Sequence, residues 1–200
     1  MPDNPIKMMI AGVGGQGIVF LTNLLTEAAI LADIPAASSE IHGLAQRRGS
    51  VTAGVTFGAN SYGYVEAAGT DFLIGLEPLE ALRCLPYLNR NSRVIIDDNP
   101  ILPHSVNTGK ASYPDVKSVI AFLRQNVRQV IYNQRFSDEL PPVLRNTFIL
   151  GRSLQLGGFP LPPECIAKAI AQRARRGMEQ ETLKAFQLGL HCNESTGISG

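Results

Sequence analysis

Cysteine is scarce in this 200-residue chain, and the three present, Cys84, Cys165 and Cys192, stand far apart. None forms a C-x-x-C pair, and an odd number of scattered thiols builds no disulfide framework. Three cysteines also cannot supply the four thiolates of an iron–sulfur cluster, so no such cluster is expected on this polypeptide. Their expected role is that of small core residues. Charge of one sign is lacking too. The formal net charge is +1, which gives no bulk attraction to nucleic acid. No apolar run reaches spanning length, because Ile18 to Leu31 is interrupted by Thr22, Asn23, Thr26 and Glu27. The N-terminus lacks the basic-then-apolar order of a secretion signal, so a cytoplasmic protein is expected. No H-E-x-x-H, Walker lysine, zinc spacing or Ser–His–acid order is present, and neither a metal site nor a catalytic residue is assigned. His104 and His191 stand alone and read as surface residues.

What remains is ordinary globular chemistry, 44% hydrophobic and 18% charged, in a length that suits one domain with a substantial core. That domain is expected over 1–192, with the small, polar residues 193–200 as a frayed tail. Strands are expected at Lys7–Ala11, Ile34–Ser39, Val51–Phe57, Tyr62–Glu66, Asp71–Gly75, Arg93–Asp97 and Val127–Tyr132. Helices are expected at Gln16–Ala32, Glu80–Leu88 (led by Pro78), Val116–Asn126 and Pro141–Leu156, then from Pro162-Pro163 to Gly177, and at Glu179–His191. In the fourth of these, Val143, Leu144, Phe148 and Leu150 are expected to face inward. The alternation of strand and helix predicts a three-layer α/β fold: a mostly parallel, Rossmann-like sheet with helices on both faces. One antiparallel hairpin is expected, Val51–Phe57 turning at Gly58–Ser61 into Tyr62–Glu66.

Three constellations carry chemistry. In the first, an apolar run ends at Gly12-Val13-Gly14-Gly15-Gln16-Gly17, and a helix follows at once. Glycines let the backbone approach a ligand, and a helix start favours an anion. Gly12, Gly14 and Gly17 also match G-x-G-x-x-G, with Glu40 close to the place of a ribose-binding acid. A dinucleotide site and a plain packing turn both fit those three glycines. The second is Ser38-Ser39-Glu40-Ile41-His42-Gly43-Leu44-Ala45-Gln46-Arg47-Arg48-Gly49-Ser50. It follows strand two, at the carboxyl edge where such sheets bind ligands. His42 can exchange a proton near neutral pH, and arginine suits phosphate or carboxylate. The third places Glu77 and Glu80 at a helix start, where capping is their expected work. Arg173, Arg175 and Arg176 close a later helix ahead of Gly177, where a basic run suits the helix dipole.

Taken in order, Gly12-x-Gly14-Gly15-Gln16-Gly17, Glu40-x-His42-Gly43-Leu44-Ala45-Gln46-Arg47-x-Gly49-Ser50-Val51 and Asp71-x-Leu73-x-Gly75-x-Glu77-x-x-Glu80-Ala81-x-Arg83 resemble one family. It is the gamma-type subunit of the 2-oxoacid:ferredoxin (acceptor) oxidoreductases. The resemblance runs from about Lys7 to Gly157, and the His-Gly-x-Ala-Gln-Arg stretch is most similar to the small-subunit branch for indolepyruvate. Arg48 departs from the family's Arg-Gly-Gly, which leaves the aryl, branched-chain and phenylglyoxylate-type substrates open. The resemblance implies a heteromeric complex in which a larger subunit carries thiamine diphosphate, Mg2+ and [4Fe-4S] clusters. Coenzyme A is the implied cosubstrate and ferredoxin the electron acceptor, and the isolated chain would be inactive and free of cofactor. The residues it implies for ligand or active-site contact are Gly12, Gly14, Gly15, Gln16, Gly17, His42, Gln46, Arg47, Gly49 and Ser50. Two other functions fit the residues: a stand-alone NAD(P)- or flavin-binding reductase, and a scaffold that binds no small molecule.

Overall fold

The computed structural model describes residues 4–42 and 49–192, His42 by its backbone alone. The opening apolar run forms β1 (Ile6–Val13), and the glycine turn separates it from α1 (Ile18–Leu31). Helical spacing in α1 buries Ile18, Leu21, Leu24, Leu25, Ala28 and Ala29 on one face. The helix ends where Asp33 adopts a left-handed conformation, φ 55°, two residues before Pro35. Then come β2 (Ala36–His42), β3 (Ser50–Phe57), β4 (Thr70–Gly75) and α2 (Pro78–Arg83). They are followed by β5 (Leu88–Asp97), the one-turn α3 (His104–Asn107), α4 (Val116–Asn126) and β6 (Gln129–Asn133). Helices α5 (Arg145–Ser153), α6 (Pro163–Arg173) and α7 (Glu179–Leu190) complete the described chain.

The six strands lie in the order β2-β3-β1-β4-β5-β6. Strands β1, β4, β5 and β6 are parallel. Strand β3 is antiparallel to both β1 and β2, so β2 again runs in the direction of β1. The expected α/β class is borne out, with helices on both faces. The antiparallel hairpin has a different partner from the one expected: β3 pairs with β2 and β1, and residues 62–66 form no strand. The reason lies in two side chains on the sheet face. Thr56 Oγ1 accepts from the Tyr62 and Gly63 N–H groups at 3.1 and 2.9 Å, and Ser39 Oγ donates to Gly63 O at 2.8 Å. These bonds lay the segment across the face as a strap and leave both edges of β3 free to pair. Lys7 fastens the strap through an ion pair with Glu66 and sits over the Tyr62 ring, 5.8 Å from its centroid.

Alternation along the strands divides the core. Met8, Ile10, Val55 and Ile95 pack with α1, α5, α6 and α7, while Met9, Ala11, Val94 and Ile96 pack with α2 and α4. Helices α5 and α7 touch backbone to backbone. A Cβ at Gly151 would fall 2.1 Å from Phe186 O, and one at Gly189 would fall 2.0 Å from Phe148 O. The helix expected over 141–156 is α5 flanked by 3-10 turns at Pro142–Leu144 and Leu154–Leu156. Three residues per turn shift the side-chain phase before Arg145, so Val143, expected inward, is 68% exposed. The helix expected over 80–88 stops at Arg83, ahead of a 3-10 turn containing Pro86, whose ring disfavours a helical residue before it. Among the described residues no helix is long and apolar enough to cross a membrane.

Candidate functional site

The carboxyl ends of β1 and β4 meet at the glycine turn, and Gln16 knits the two together. Its Oε1 accepts from the Val13 N–H at 2.7 Å, and its Nε2 donates to Leu76 O at 2.8 Å. Leu76 N–H in turn donates to Ala11 O at 2.8 Å, which closes the link between β1 and the end of β4. Gly12 leaves the room this needs, since a Cβ there would lie 2.6 Å from Gln16 Oε1. Gly15, φ 100°, is exposed and faces open space. Gly17 caps α1 at φ 79°, and its carbonyl accepts from Asn146 Nδ2 at 3.4 Å. Neither an acidic residue nor a side-chain cap occupies the start of α1.

The second motif reaches this turn through its last residues. Gly14 N–H donates to Gly49 O at 2.9 Å, and Ser50 pairs in register with Val13. Ser50 Oγ donates to Glu80 Oε2 at 2.5 Å, and Glu80 Oε1 accepts from Arg83 Nη1 at 2.9 Å. Glu77 caps α2 by accepting from the Glu80 N–H at 2.8 Å, the work expected of it. It is only 1% exposed, and its other oxygen accepts from the Ile101 N–H and from the Tyr113 hydroxyl. Burial, with Glu77 adding to it, pushes the Tyr113 phenol above its ordinary range. Gly12, Gly14, Gly15, Gln16, Gly17, Gly49 and Ser50 therefore lie together. The backbone of His42 ends β2 opposite Val51. Gln46 and Arg47 lie outside the described residues, as does the tail expected at 193–200.

Two clefts flank the turn. One, of about 310 Å³, is bounded by Gly15–Gly17, Phe20, Thr147, Met178 and Thr182, with Arg173 and Arg175 on its wall. Arg173 does more than favour a helix end: its Nε and Nη2 both donate to Glu27 Oε2 on α1, at 3.0 and 2.5 Å. The other cleft, of about 120 Å³, lies between Gly15, Leu76, Asp97, Asn99, Arg145 and Asn146. Here Asp97, at the end of β5, accepts from Arg145 Nε and, through Oδ1, from Arg145 Nη2 at 3.0 Å and Asn133 Nδ2 at 2.7 Å. Arg152 Nη1 donates to Asn133 Oδ1 at 2.7 Å, and the Arg145 guanidinium lies 5.1 Å from the Phe136 ring centroid. Burial pushes the Asp97 carboxyl above its usual range against the pull of Arg145 and Asn133. Sequence reasoning missed this group. One signal was available: Arg145 opens α5, where the helix dipole disfavours a cation and another partner is needed.

The arrangement departs from a dinucleotide site in two respects. The crevice between β1 and β4, where such sheets reverse strand order, is filled by the Gln16 amide. Strand β3 also separates β2 from β1, so Glu40 sits two strands from Ile10, roughly 10 Å away, rather than on the neighbouring strand.

Residues 7–192 match the family described as pyruvate ferredoxin/flavodoxin oxidoreductase. The chain is 34% identical over 189 residues to indolepyruvate oxidoreductase subunit IorB of Pyrococcus horikoshii, covering 92% of this chain and 94% of that one. It is 32% identical over 187 residues to the IorB subunit of Archaeoglobus fulgidus, covering 92% and 93%. Among solved structures it resembles the gamma subunit of a keto/oxoacid ferredoxin oxidoreductase from Geobacter sulfurreducens. There the TM-score is 0.67 at 18% identity, with 92% of this chain and 95% of that one covered. It also resembles the 2-oxoglutarate:ferredoxin oxidoreductase of Magnetococcus marinus, TM-score 0.64 at 14% identity, covering 94% of this chain and 31% of that one.

Proposed function

The chain belongs to the pyruvate ferredoxin/flavodoxin oxidoreductase family, and from that premise we propose that it is the small subunit of a thiamine diphosphate-dependent 2-oxoacid:ferredoxin oxidoreductase. Indolepyruvate or another aryl 2-oxoacid is the substrate, in keeping with the names of its relatives. The chain works in the cytoplasm as one domain over 1–192. Its larger partner holds the thiamine diphosphate, Mg2+ and [4Fe-4S] clusters, and the complex passes electrons to ferredoxin. Three scattered cysteines here fit that division. Thiamine diphosphate supplies the nucleophile for decarboxylation of the 2-oxoacid. This chain's part is to complete the interface and to receive coenzyme A at its carboxyl edge, through Gly12 to Gly17, His42, Gln46, Arg47, Gly49 and Ser50.

The observation that carries this reading is the Gly14 N–H···O Gly49 bond, 2.9 Å. It joins the glycine turn to the end of the His42–Ser50 motif at the edge where open α/β sheets bind ligands. Bare glycines there let a phosphate-bearing ligand approach the backbone, and Arg47, two residues before Gly49 in the sequence, carries the paired donors that suit phosphate. The test is reconstitution with the large subunit. Turnover requires both chains. Gly14→Val abolishes coenzyme A-dependent turnover without lowering the melting temperature of the small subunit. Arg47→Ala weakens coenzyme A association roughly 10- to 100-fold, the range of a charge-assisted hydrogen bond, and Arg48→Ala weakens it less. Coenzyme A affinity unaffected by all three would overturn the assignment of this edge.

A further inference from the structure

We infer that the outer edge of β2 is an interface between two copies of this chain, joined strand to strand about a two-fold axis at Ser39. Such pairing is independent of what the glycine turn binds.

Strand β2 ends the sheet, so one of its sides has no neighbouring strand among the described residues. Gly58 N–H donates to Pro35 O at 2.8 Å, which turns residue 35 towards β3. By alternation Ala37, Ser39 and Ile41 also turn their backbone groups to β3, and those of Ala36, Ser38 and Glu40 point outward. Edge strands are ordinarily protected from pairing by proline, lysine, a bulge or a covering element. Ala36–His42 contains neither proline nor lysine, and its register with β3 is unbroken. The strap lies over the face of β2 and β3, held there by Thr56 and Ser39, and leaves the edge uncovered. Apolar side chains border this edge on both faces of the sheet. Ile41 is 64% exposed, and Tyr64 on the strap is exposed as well. On the opposite face, Val19 and Ile30 form an exposed stripe of α1, the helix that packs on β2 and β3. That stripe lies away from α6, which α1 grips through Glu27 and Arg173.

An antiparallel edge is complementary to itself about a two-fold axis, which makes a second copy its occupant. Only the register centred on Ser39 pairs all seven residues of β2. It sets Ile41 of each copy against Ala37 of the other, and Ser38 against Glu40, with the outward backbone groups of both facing one another. The two Ser39 residues meet at the axis, and the two Glu40 carboxylates are kept from lying directly opposite. The product is one continuous sheet of twice six strands, with the α1 stripes on one face and the Ile41 side chains on the other.

The test is sedimentation equilibrium of the full chain at micromolar concentration, where a dimer is expected. Ser38→Pro removes one outward N–H from each copy and leaves the bonds to β3 in place. Ile41→Lys puts a cation beside the edge of each copy. Each weakens dimerisation about tenfold or more, with the far-ultraviolet circular dichroism unchanged. Phe122→Lys alters a comparably exposed side chain on α4, beside β6 at the other end of the sheet, and leaves the dimer intact. Ser39→Cys, combined with Cys192→Ser, gives a covalent dimer on oxidation, because Cα atoms across a non-hydrogen-bonded pair lie about 4.5 Å apart. A monomer at that concentration would overturn the inference. So would a dimer that survives both Ser38→Pro and Ile41→Lys, or one in which the Ser39→Cys thiols fail to join. A chain that is monomeric alone and loses its affinity for the large subunit on Ile41→Lys would give the edge to that subunit, which also overturns it.

Discussion

Gln16 and Leu76, sixty residues apart in sequence, meet where β1 and β4 end: the Gln16 Nε2 donates to the Leu76 carbonyl at 2.8 Å. The same side chain accepts from the Val13 N–H with its oxygen. One amide thus satisfies a donor and an acceptor that the strand ends leave unpaired, and it needs both halves of its chemistry to do so.

Gln16→Glu keeps the acceptor and loses the donor. At pH 7 the added carboxylate oxygen meets the Leu76 carbonyl with no proton between them. We expect a loss of about 2 kcal/mol, measured by urea unfolding. Part of it returns near pH 4, where the carboxyl takes up a proton and can donate. A pH-independent penalty would argue against the bond to Leu76.

Gly151→Ala tests the contact of α5 with α7. A methyl group 2.1 Å from Phe186 O forces the helices apart. Overpacking of this kind costs about 2–3 kcal/mol, which for a chain of this size lowers the melting temperature by roughly 5–10 °C. An unchanged melting curve would contradict the close approach.

Thiol reactivity should separate the cysteines. Burial, helped by nearby Glu80, pushes the Cys84 thiol up to about 12, and Cys165 is buried as well. Cys192 is half-buried. Native protein at pH 8 should therefore release one equivalent of chromophore from a disulfide reagent, assigned to Cys192 by mass spectrometry, and three after unfolding. Rapid labelling of Cys84 in the native state would contradict its burial.

Lys7 and Glu66 fasten the strap over β3, and their titration sets a pH window. Lys7 lowers the Glu66 carboxyl below its ordinary value of 4.5, so this stability is present above that pH and is lost as pH falls through the folded value. Glu66 raises the Lys7 ammonium above 10.5, so the contribution is full below that pH and is lost as pH rises through the folded value. Glu66→Gln should cost about 0.5 kcal/mol at pH 7 and less at pH 3, as measured by denaturant midpoints. An equal cost at both would assign the effect to packing.

The parallel half of the sheet was legible because Leu73, Ile74, Val94, Ile95 and Ile131 sit in short apolar runs that only a strand covered on both faces accommodates. The glycine turn was legible for the same reason, as a break between an apolar run and a helical period. The pairing of β3 was not, because Tyr62–Glu66 has the alternation of a strand and only the Thr56 and Ser39 side chains reveal that it lies across the face. Asp97 and Arg145 are forty-eight residues apart and carry no shared motif, so their meeting depends on the way β5 and α5 pack.

The placement of β3 has an evolutionary consequence. A crossover between parallel strands must span the sheet, and its length is constrained by the helix it contains. The stretch from 43 to 49 instead joins two adjacent antiparallel strands whose register fixes both of its ends. Lengthening such a connection costs only about 0.6 kcal/mol per doubling. The sheet therefore dictates neither the length nor the identity of this stretch, and selection must maintain the motif it carries through what that motif binds.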